Sequence, residues 1–135
     1  MRAVVLFLAL SGTQLGAQST LDEAARRVRD GWLAHDAEAV VGQASRVVLQ
    51  IRGADPSAAV SRQQAVALLA RYLRPTSERA LEIGAIREVE EGRGLVELER
   101  RYAVEGTGDE RHETLFLGFR RQGGRWVLVE LRSAR

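Results

Sequence analysis

The sequence has no cysteine, no lysine and no asparagine, and its 135 residues include only two prolines and two histidines. The lack of cysteine excludes disulfides and thiolate metal sites, so the chain depends on its hydrophobic core for stability. The lack of lysine and asparagine is best explained by a GC-rich genome, because both residues use AT-rich codons. All twenty basic residues are therefore arginines, which do not lose their charge near neutral pH.

A large charge of one sign is also missing. The formal net charge is +2, and basic and acidic residues are interleaved, as in Arg87-Glu88 and Glu99-Arg100-Arg101. Interleaving is typical of a solvated mixed surface, whereas binding to a phosphate backbone needs a one-sided basic stripe. We therefore expect no nucleic-acid partner.

The longest hydrophobic run lies at the N-terminus. Arg2 precedes the apolar residues Ala3–Leu10, and Ala17 supplies a small residue before a cleavage point. This order is typical of a secretory signal peptide, and the run is too short to cross a membrane, which takes about twenty residues. The alternative is a buried N-terminal strand or helix. We expect removal of residues 1–17 and a single exported domain over residues 18–135, periplasmic or extracellular, with no membrane span.

Two capping boxes mark the starts of helices. Thr20 is followed by Glu23, and Ser61 is followed by Gln64. In each pair the two side chains can satisfy backbone N–H groups that the first helical turn leaves unpaired. Apolar residues then repeat at helical spacing in both segments, and Pro75 prevents the second helix from continuing.

Alternation of apolar and polar residues predicts strands, first in Arg46–Arg52 and then from Leu81 onward. The later runs are separated by glycine-containing turns, so they predict an antiparallel meander of residues 80–89, 93–104, 111–119 and 125–131. If residues 105–110 form the hairpin loop, Arg100 lies diagonal to Glu113 on the apolar face of the central strand pair. The last strand is apolar on both faces, so its pairing register with the preceding strand is ambiguous by one residue.

Three segments carry a resemblance to a known superfamily: Trp32–Ser45, Ser61–Leu73 and Phe116–Leu131. In this order they resemble the nuclear transport factor 2-like superfamily of cystatin-like α+β cones. That group includes SnoaL-like proteins, ketosteroid isomerases and many exported bacterial proteins of unknown function. The resemblance implies N-terminal helices packed on a curved, mostly antiparallel sheet. Its motifs are structural, so it implies a fold and not an activity.

The enzymes of that superfamily place an acidic base or a polar triad on the inner wall of the cone. Ketosteroid isomerases place such a base near the first strand. In this chain the corresponding residues, Val47–Ile51, include no carboxylate. This difference argues against proton abstraction of the isomerase type, which needs a base within reach of the substrate.

Arg100, Tyr102 and Glu113 are the sharpest candidates for a ligand-binding site, because all three fall on the predicted core-facing side of the meander. A buried arginine beside a carboxylate can hold an anionic ligand group through its planar guanidinium. The alternative is an ion pair at the rim of the sheet, with Tyr102 in the core. Tyr72 and Trp32 lie on the apolar stripes of the two capped helices. Such residues are more often core, and Tyr72 is kept as a fourth candidate ligand-binding residue.

The two histidines do not suggest a metal site. His35 is expected at a helix terminus, next to Asp36, which is best explained as the N-cap of a short helix. His112 falls on the polar face of the sheet. A metal site needs ligands at close spacing, so the sequence predicts no metal and no cofactor.

These features favour a non-catalytic exported domain that binds a small apolar or anionic ligand, or a partner protein, through the cone pocket or the sheet face. One alternative is a small SnoaL- or isomerase-type enzyme that uses Arg100, Tyr102 and Glu113. Another is a purely structural homodimer. An enzyme needs a titratable group of shifted pKa in its pocket, whereas a binding domain needs an apolar pocket with a few polar anchors.

The N-terminal pattern makes export testable. We expect the protein in the envelope or medium of its native host to begin near Gln18, because the signal peptidase cuts after the small residue Ala17. Intact-mass measurement of the natively produced protein checks this. A folded protein that still carries Met1 or Arg2 would contradict it.

Overall fold

The computed structural model describes residues 20–56 and 58–134. Within these ranges the chain forms α1 (Leu21–Leu33), α2 (Ala37–Val41), β1 (Arg46–Gln50), β2 (Ala59–Ser61), α3 (Arg62–Leu73), β3 (Thr76–Glu90), β4 (Arg93–Val104), β5 (Glu110–Gln122) and β6 (Arg125–Ala134). The predicted signal peptide and its cleavage point lie outside the described residues. No helix in the described part of the chain is long and apolar enough to span a membrane.

Both predicted capping boxes are present. The Thr20 hydroxyl accepts a hydrogen bond from the Glu23 backbone N–H at 3.1 Å, and the Glu23 carboxylate accepts one from the Thr20 N–H at 2.9 Å. Ser61 and Gln64 form the same reciprocal pair at 3.2 and 3.1 Å. The Asp36 side chain caps α2 by accepting a backbone N–H at 3.1 Å. The start of each helix was therefore readable from the sequence.

The six strands of the described residues form one sheet in the order β2-β1-β6-β5-β4-β3. Neighbouring strands are antiparallel except β1 and β6, which run parallel. Short turns join β3 through β6, as the meander prediction requires. Three register shifts in β3 mark bulges, which bend a strand and increase its twist. The predicted α+β class, with helices packed on a mostly antiparallel sheet, is confirmed.

The loop of the hairpin between β4 and β5 is shifted from its predicted position by a slide of one residue toward the N-terminus. Glu110 already belongs to β5, so the residues without a β5 partner are 104–109 and not 105–110. The turn explains the slide, because Thr107 donates both its backbone N–H and its hydroxyl to the Val104 carbonyl, at 3.2 and 2.9 Å. These bonds take the Val104 carbonyl out of the ladder with β5.

This slide moves the register of the strand pair by two residues. Arg100 therefore lies directly opposite Glu113, and the predicted diagonal arrangement is wrong. A shift of two residues keeps each side chain on its predicted face of the sheet. The predicted apolar face is correct for that reason.

β3 begins at Thr76, before the predicted start of the run at residue 80. The extra residues are polar and follow Pro75, so their sequence is typical of a connection. In the structure they pair with the end of β4, with Thr76 opposite Val104 and Glu78 opposite Tyr102. At the other end of the sheet, β1 stops at Gln50, two residues earlier than predicted.

A bulge resolves the open register of β6. Leu131 pairs with Leu117, whereas Leu128 pairs with Phe119, so one additional residue lies between the two paired positions on β6. A bulge reverses the face on which the following residues point. The bulge at Val129 therefore places Leu131, on one side of it, and Leu128 and Trp126, on the other, on the same inner face, and all three are buried.

The core lies between the helices and the inner face of the sheet. Its fully buried apolar side chains come from both layers and include Trp32, Leu49, Leu69, Leu98, Leu117 and Leu131. The two faces of β4 differ sharply, since Leu98 is 0% exposed and Leu95 is 37% exposed. Alternation along one strand therefore separates core from surface, as expected for a sheet covered on one side.

The two leucines of β4 provide a matched test of this face assignment. We expect Leu98→Ala to lower the free energy of unfolding by about 2–5 kcal/mol, because it opens a cavity in the core. We expect Leu95→Ala, the same substitution three residues away, to cost less than about 1 kcal/mol. Denaturant titration of both variants measures the difference. Equal losses would contradict the assignment of the inner face.

Candidate functional site

A buried arginine lies at the centre of the inner face of the sheet. Arg100 on β4 is flanked by Glu78 on β3 and Glu113 on β5, and the three side chains are only 1%, 4% and 3% exposed. Arg100 Nε and Nη2 donate to the two carboxylate oxygens of Glu78, each at 2.7 Å. Nη1 donates to Glu113 Oε1 at 2.8 Å. One guanidinium therefore bridges two carboxylates, with a bidentate contact to the first.

Each carboxylate is held by further donors. Glu78 accepts from the Trp32 indole N–H at 3.0 Å and lies 2.9 Å from the Thr76 hydroxyl. Glu113 Oε2 accepts from the Tyr72 hydroxyl at 2.6 Å and from the Ser133 hydroxyl at 2.9 Å.

These contacts link residues from α1, α3, β3, β4, β5 and β6. We call them the Arg100 cluster: Trp32, Tyr72, Thr76, Glu78, Arg100, Glu113 and Ser133.

Aromatic rings enclose the guanidinium of Arg100. Its central carbon lies 3.8 Å from the ring centroid of Tyr102, 5.0 Å from that of Trp32 and 5.5 Å from that of Tyr72. Cation–π contacts of this kind are strengthened when the cation is removed from water. The rings therefore stabilise the charge while they exclude solvent from it.

The cluster fixes the charges of Glu78, Arg100 and Tyr72. Burial raises the pKa of Glu78, but the hydrogen bonds and charge of Arg100 outweigh that effect and hold the pKa below its usual value. Burial lowers the pKa of Arg100, yet Glu78 and Glu113 together raise it above its usual value. Burial and the bond to Glu113 raise the pKa of Tyr72, which keeps its phenol protonated. With both carboxylates ionised, the cluster carries one positive and two negative charges.

A cavity of about 760 Å³ opens onto this cluster. All four predicted ligand-binding residues line it: Tyr72, Arg100, Tyr102 and Glu113. Its walls also contain apolar side chains from the loop after β1, from the residue before β3 and from the end of β4, namely Ile51, Ala54, Pro56, Pro75 and Val104. The fold thus brings the four residues to one cavity, with Arg100, Tyr102 and Glu113 on the inner face of the sheet and Tyr72 on α3.

Three further arginines line the same cavity nearer to solvent. Arg52 lies in the loop after β1, Arg71 on α3 and Arg111 near the start of β5. Arg52 and Arg71 are exposed and Arg111 is half-buried. Within residues 20–56 and 58–134, none of these three side chains forms a hydrogen bond or an ion pair. We call them the rim arginines. The described lining of the cavity contains four arginines, Arg100 and the three rim arginines, and a single carboxylate, that of Glu113.

Sequence reasoning did not identify Glu78, the strongest partner of Arg100. Its segment follows Pro75 and is polar, so nothing marked it as part of a strand. The one available signal was the charge of Arg100 itself, because a buried guanidinium needs more acceptors than a single carboxylate provides.

The histidines lie where the sequence placed them. His35 follows α1 with a backbone φ of 55°, and its Nε2 lies 3.4 Å from Glu78 Oε2 at the edge of the Arg100 cluster. His112 is exposed on the outer face, with its Nε2 3.8 Å from Glu110. In the described part of the chain, no group of three or more histidine and acidic side chains is arranged to hold a metal ion.

No protein-family model matches the chain, and no curated protein matches it in sequence. Solved structures do match. A ketosteroid isomerase-like protein from Erwinia carotovora atroseptica gives a TM-score of 0.68 at 16% identity, over 84% of this chain and 91% of that protein. A domain of unknown function with a cystatin-like fold from Nostoc punctiforme gives 0.60 at 12% identity, over 94% and 79% of the two chains.

A third structure contains a small molecule. A hypothetical protein with a ketosteroid isomerase-like fold from Catenulispora acidiphila, solved in complex with trimethylamine, gives a TM-score of 0.64 at 14% identity. The match covers 86% of this chain and 87% of that protein. The chain therefore has the nuclear transport factor 2-like, cystatin-like fold that its sequence predicts. At these identities the likeness concerns the fold and not an activity.

The ion pair between Arg100 and Glu78 predicts a specific pH dependence. Because the pKa of folded Glu78 lies below its usual value of 4.5, its ionised form stabilises the fold above about pH 4.5, and this contribution is lost as the pH falls through the folded pKa. We expect Glu78→Gln to lower the free energy of unfolding by about 2 kcal/mol at pH 7. The deficit relative to wild type should shrink as the pH falls below about 4.5.

Urea titrations of wild type and Glu78→Gln between pH 7 and pH 3 measure this difference. Glu97→Gln is the control, because Glu97 carries the same charge on β4 outside the Arg100 cluster; we expect it to change stability by less than about 0.5 kcal/mol. A deficit for Glu78→Gln that stays constant down to pH 3 would contradict the assigned charge of Glu78.

Proposed function

We propose that this chain is an exported, non-catalytic binding domain that holds a small organic anion in the cavity above the Arg100 cluster. The observation that carries the proposal is the lining of that cavity, where three partner-free rim arginines stand beside an apolar and aromatic wall. Pockets for small ligands combine these two features, an apolar body and a few polar groups that fix orientation. The volume of about 760 Å³ lies within the range of such pockets.

The rim arginines suit the anionic group of the ligand better than Arg100 does. Arg100 is held by two carboxylates, so an anion brought to it meets Glu113 at close range and is repelled. None of the guanidinium groups of Arg52, Arg71 and Arg111 forms an ion pair with a carboxylate among the described residues. Planar guanidinium forks bind carboxylates and phosphates through paired hydrogen bonds. The anionic group is therefore assigned to the rim.

The charges of the cluster favour binding over catalysis. A general base works best when its pKa lies near the operating pH. The pKa of Glu78 is lowered and the pKa of Tyr72 is raised, so neither group is poised to exchange a proton at neutral pH. Glu113, the carboxylate that lines the cavity, accepts three hydrogen bonds from neighbouring side chains. These bonds hold its carboxylate in one orientation against Arg100, Tyr72 and Ser133.

The small molecule in the Catenulispora protein supports ligand binding by a protein of this fold. That molecule is an amine, whereas the cavity of this chain has arginines at its mouth. The sign of the rim charge therefore points to an anion rather than a cation for this chain.

Binding of a matched ligand series tests this function. We expect isothermal titration to show that straight-chain carboxylates of four to ten carbons bind the mature chain, and that alcohols and amines of the same length bind more weakly. The double variant Arg71→Gln/Arg111→Gln should weaken the carboxylates by about tenfold or more, which corresponds to about 1.4 kcal/mol.

Arg120→Gln is the matched control, because Arg120 is an exposed arginine of β5 outside the cavity. It should leave every affinity unchanged. Equal binding of carboxylates and alcohols, or equal affinities in the double variant and the control, would overturn the proposed anion site.

A further inference from the structure

The inner end of the cavity has the opposite electrostatic character to its rim. Glu78 and Glu113 both contact the single guanidinium of Arg100, so the buried group keeps an excess of one negative charge when both are ionised. Glu113 lines the cavity, and its Oε1 accepts one hydrogen bond among the described contacts, from Arg100. A carboxylate oxygen can accept two. The inner end therefore offers an acceptor and repels a second anion.

The distance between the two ends can be read from β5. Arg111 and Glu113 are two residues apart on one strand, so their side chains project from the same face. Both line the cavity, and their opposite partners on β4 are Tyr102 and Arg100. Two residues of an extended strand span about 7 Å. The backbone positions that carry this guanidinium and this carboxylate are therefore about 7 Å apart along the wall of the cavity.

We propose that the ligand carries a hydrogen-bond donor at the end opposite its anionic group, about 7 Å away, as in an ω-hydroxy or ω-amino acid. This inference rests on the proposed anion site and adds the polarity of the second end. The anionic group meets the rim arginines, the apolar middle lies along the tyrosine and aliphatic wall, and the hydroxyl or ammonium group donates to Glu113 Oε1. Arg100, Tyr72 and Ser133 orient Glu113 for that contact.

Six-carbon ligands have the matching length, because the extended chain from carboxyl carbon to terminal heteroatom spans about 7–8 Å. We expect titration calorimetry to show 6-hydroxyhexanoate and 6-aminohexanoate binding at least about fivefold more tightly than hexanoate. Adipate, with a second carboxylate at that end, should bind more weakly than hexanoate. Comparison of the first two compounds shows whether the neutral or the cationic donor is preferred.

The advantage of the donor should depend on chain length. In the series of 4-, 6- and 8-carbon ω-hydroxy acids, each compared with its own alkanoate, the gain should be largest at six carbons. These measurements use the wild-type protein, so they do not depend on the folding of any variant.

A variant localises the effect. Glu113→Gln should reduce the preference for 6-aminohexanoate over hexanoate to less than about twofold, because the charge that attracts the ammonium group is removed. Glu97→Gln, on the same sheet outside the cavity, should retain the full preference.

The outcomes separate this inference from the function on which it rests. If hexanoate binds through the rim arginines but the hydroxyl and ammonium groups give no gain, the donor site is wrong and the anion site stands. If adipate binds as tightly as 6-hydroxyhexanoate, the inner end does not repel anions and the inference is likewise overturned. If no carboxylate of any length binds, the anion site itself fails.

Discussion

The buried charge of Arg100 is the constraint on which the rest of the structure depends. A guanidinium removed from water is costly unless it is paired and hydrogen-bonded. Its carboxylate partners come from the strands on both sides, and two helices supply the side chains that donate to those carboxylates. A buried ion pair is weak evidence for net stability, yet removal of one partner leaves an uncompensated charge. The cluster therefore selects one arrangement of the helices and the sheet, whatever its contribution to the total free energy.

This role is clearest in the register of β4 and β5. The hydrophobic pattern separates the two faces of a strand, so it rejects slips of one residue and tolerates slips of two. The sequence predicted the faces correctly and the pairing incorrectly for that reason. In the incorrect pairing, Tyr102 would oppose Glu113, and Arg100 would reach its carboxylate only diagonally. Two pairings that differ by two residues bury the same apolar side chains. The hydrogen bond from Arg100 to Glu113 at 2.8 Å and the turn held by Thr107 form only in the observed pairing.

Helix starts, strand faces and the fold were predictable because each depends on local residue types or on their period. The site was predictable in part, since Arg100 and Glu113 interrupt an otherwise apolar face. Glu78 was not, because the polarity of its segment hid a strand that only pairing with β4 reveals. The rim arginines were hidden for a different reason. They lie on a loop, a helix and a strand that are far apart in the sequence. A net charge of +2 for the whole chain does not reveal the local excess of positive charge where the fold brings these arginines together.

The two ends of the cavity differ in solvent exposure as well as in sign, and this difference decides how a ligand would be held. In the proposed site, contacts with the exposed Arg52 and Arg71 and the half-buried Arg111 would be weakened by water and screened by salt, so they would attract and orient an anion without fixing it tightly. Glu113, at 3% exposure, lies where a hydrogen bond is electrostatically stronger and discrimination against a wrong group is greater. The two carboxylates that balance Arg100 leave the inner end with a negative charge, and in the proposed site this charge would distinguish one ligand from another. The same buried cluster would then determine both the structure and the specificity of the proposed site.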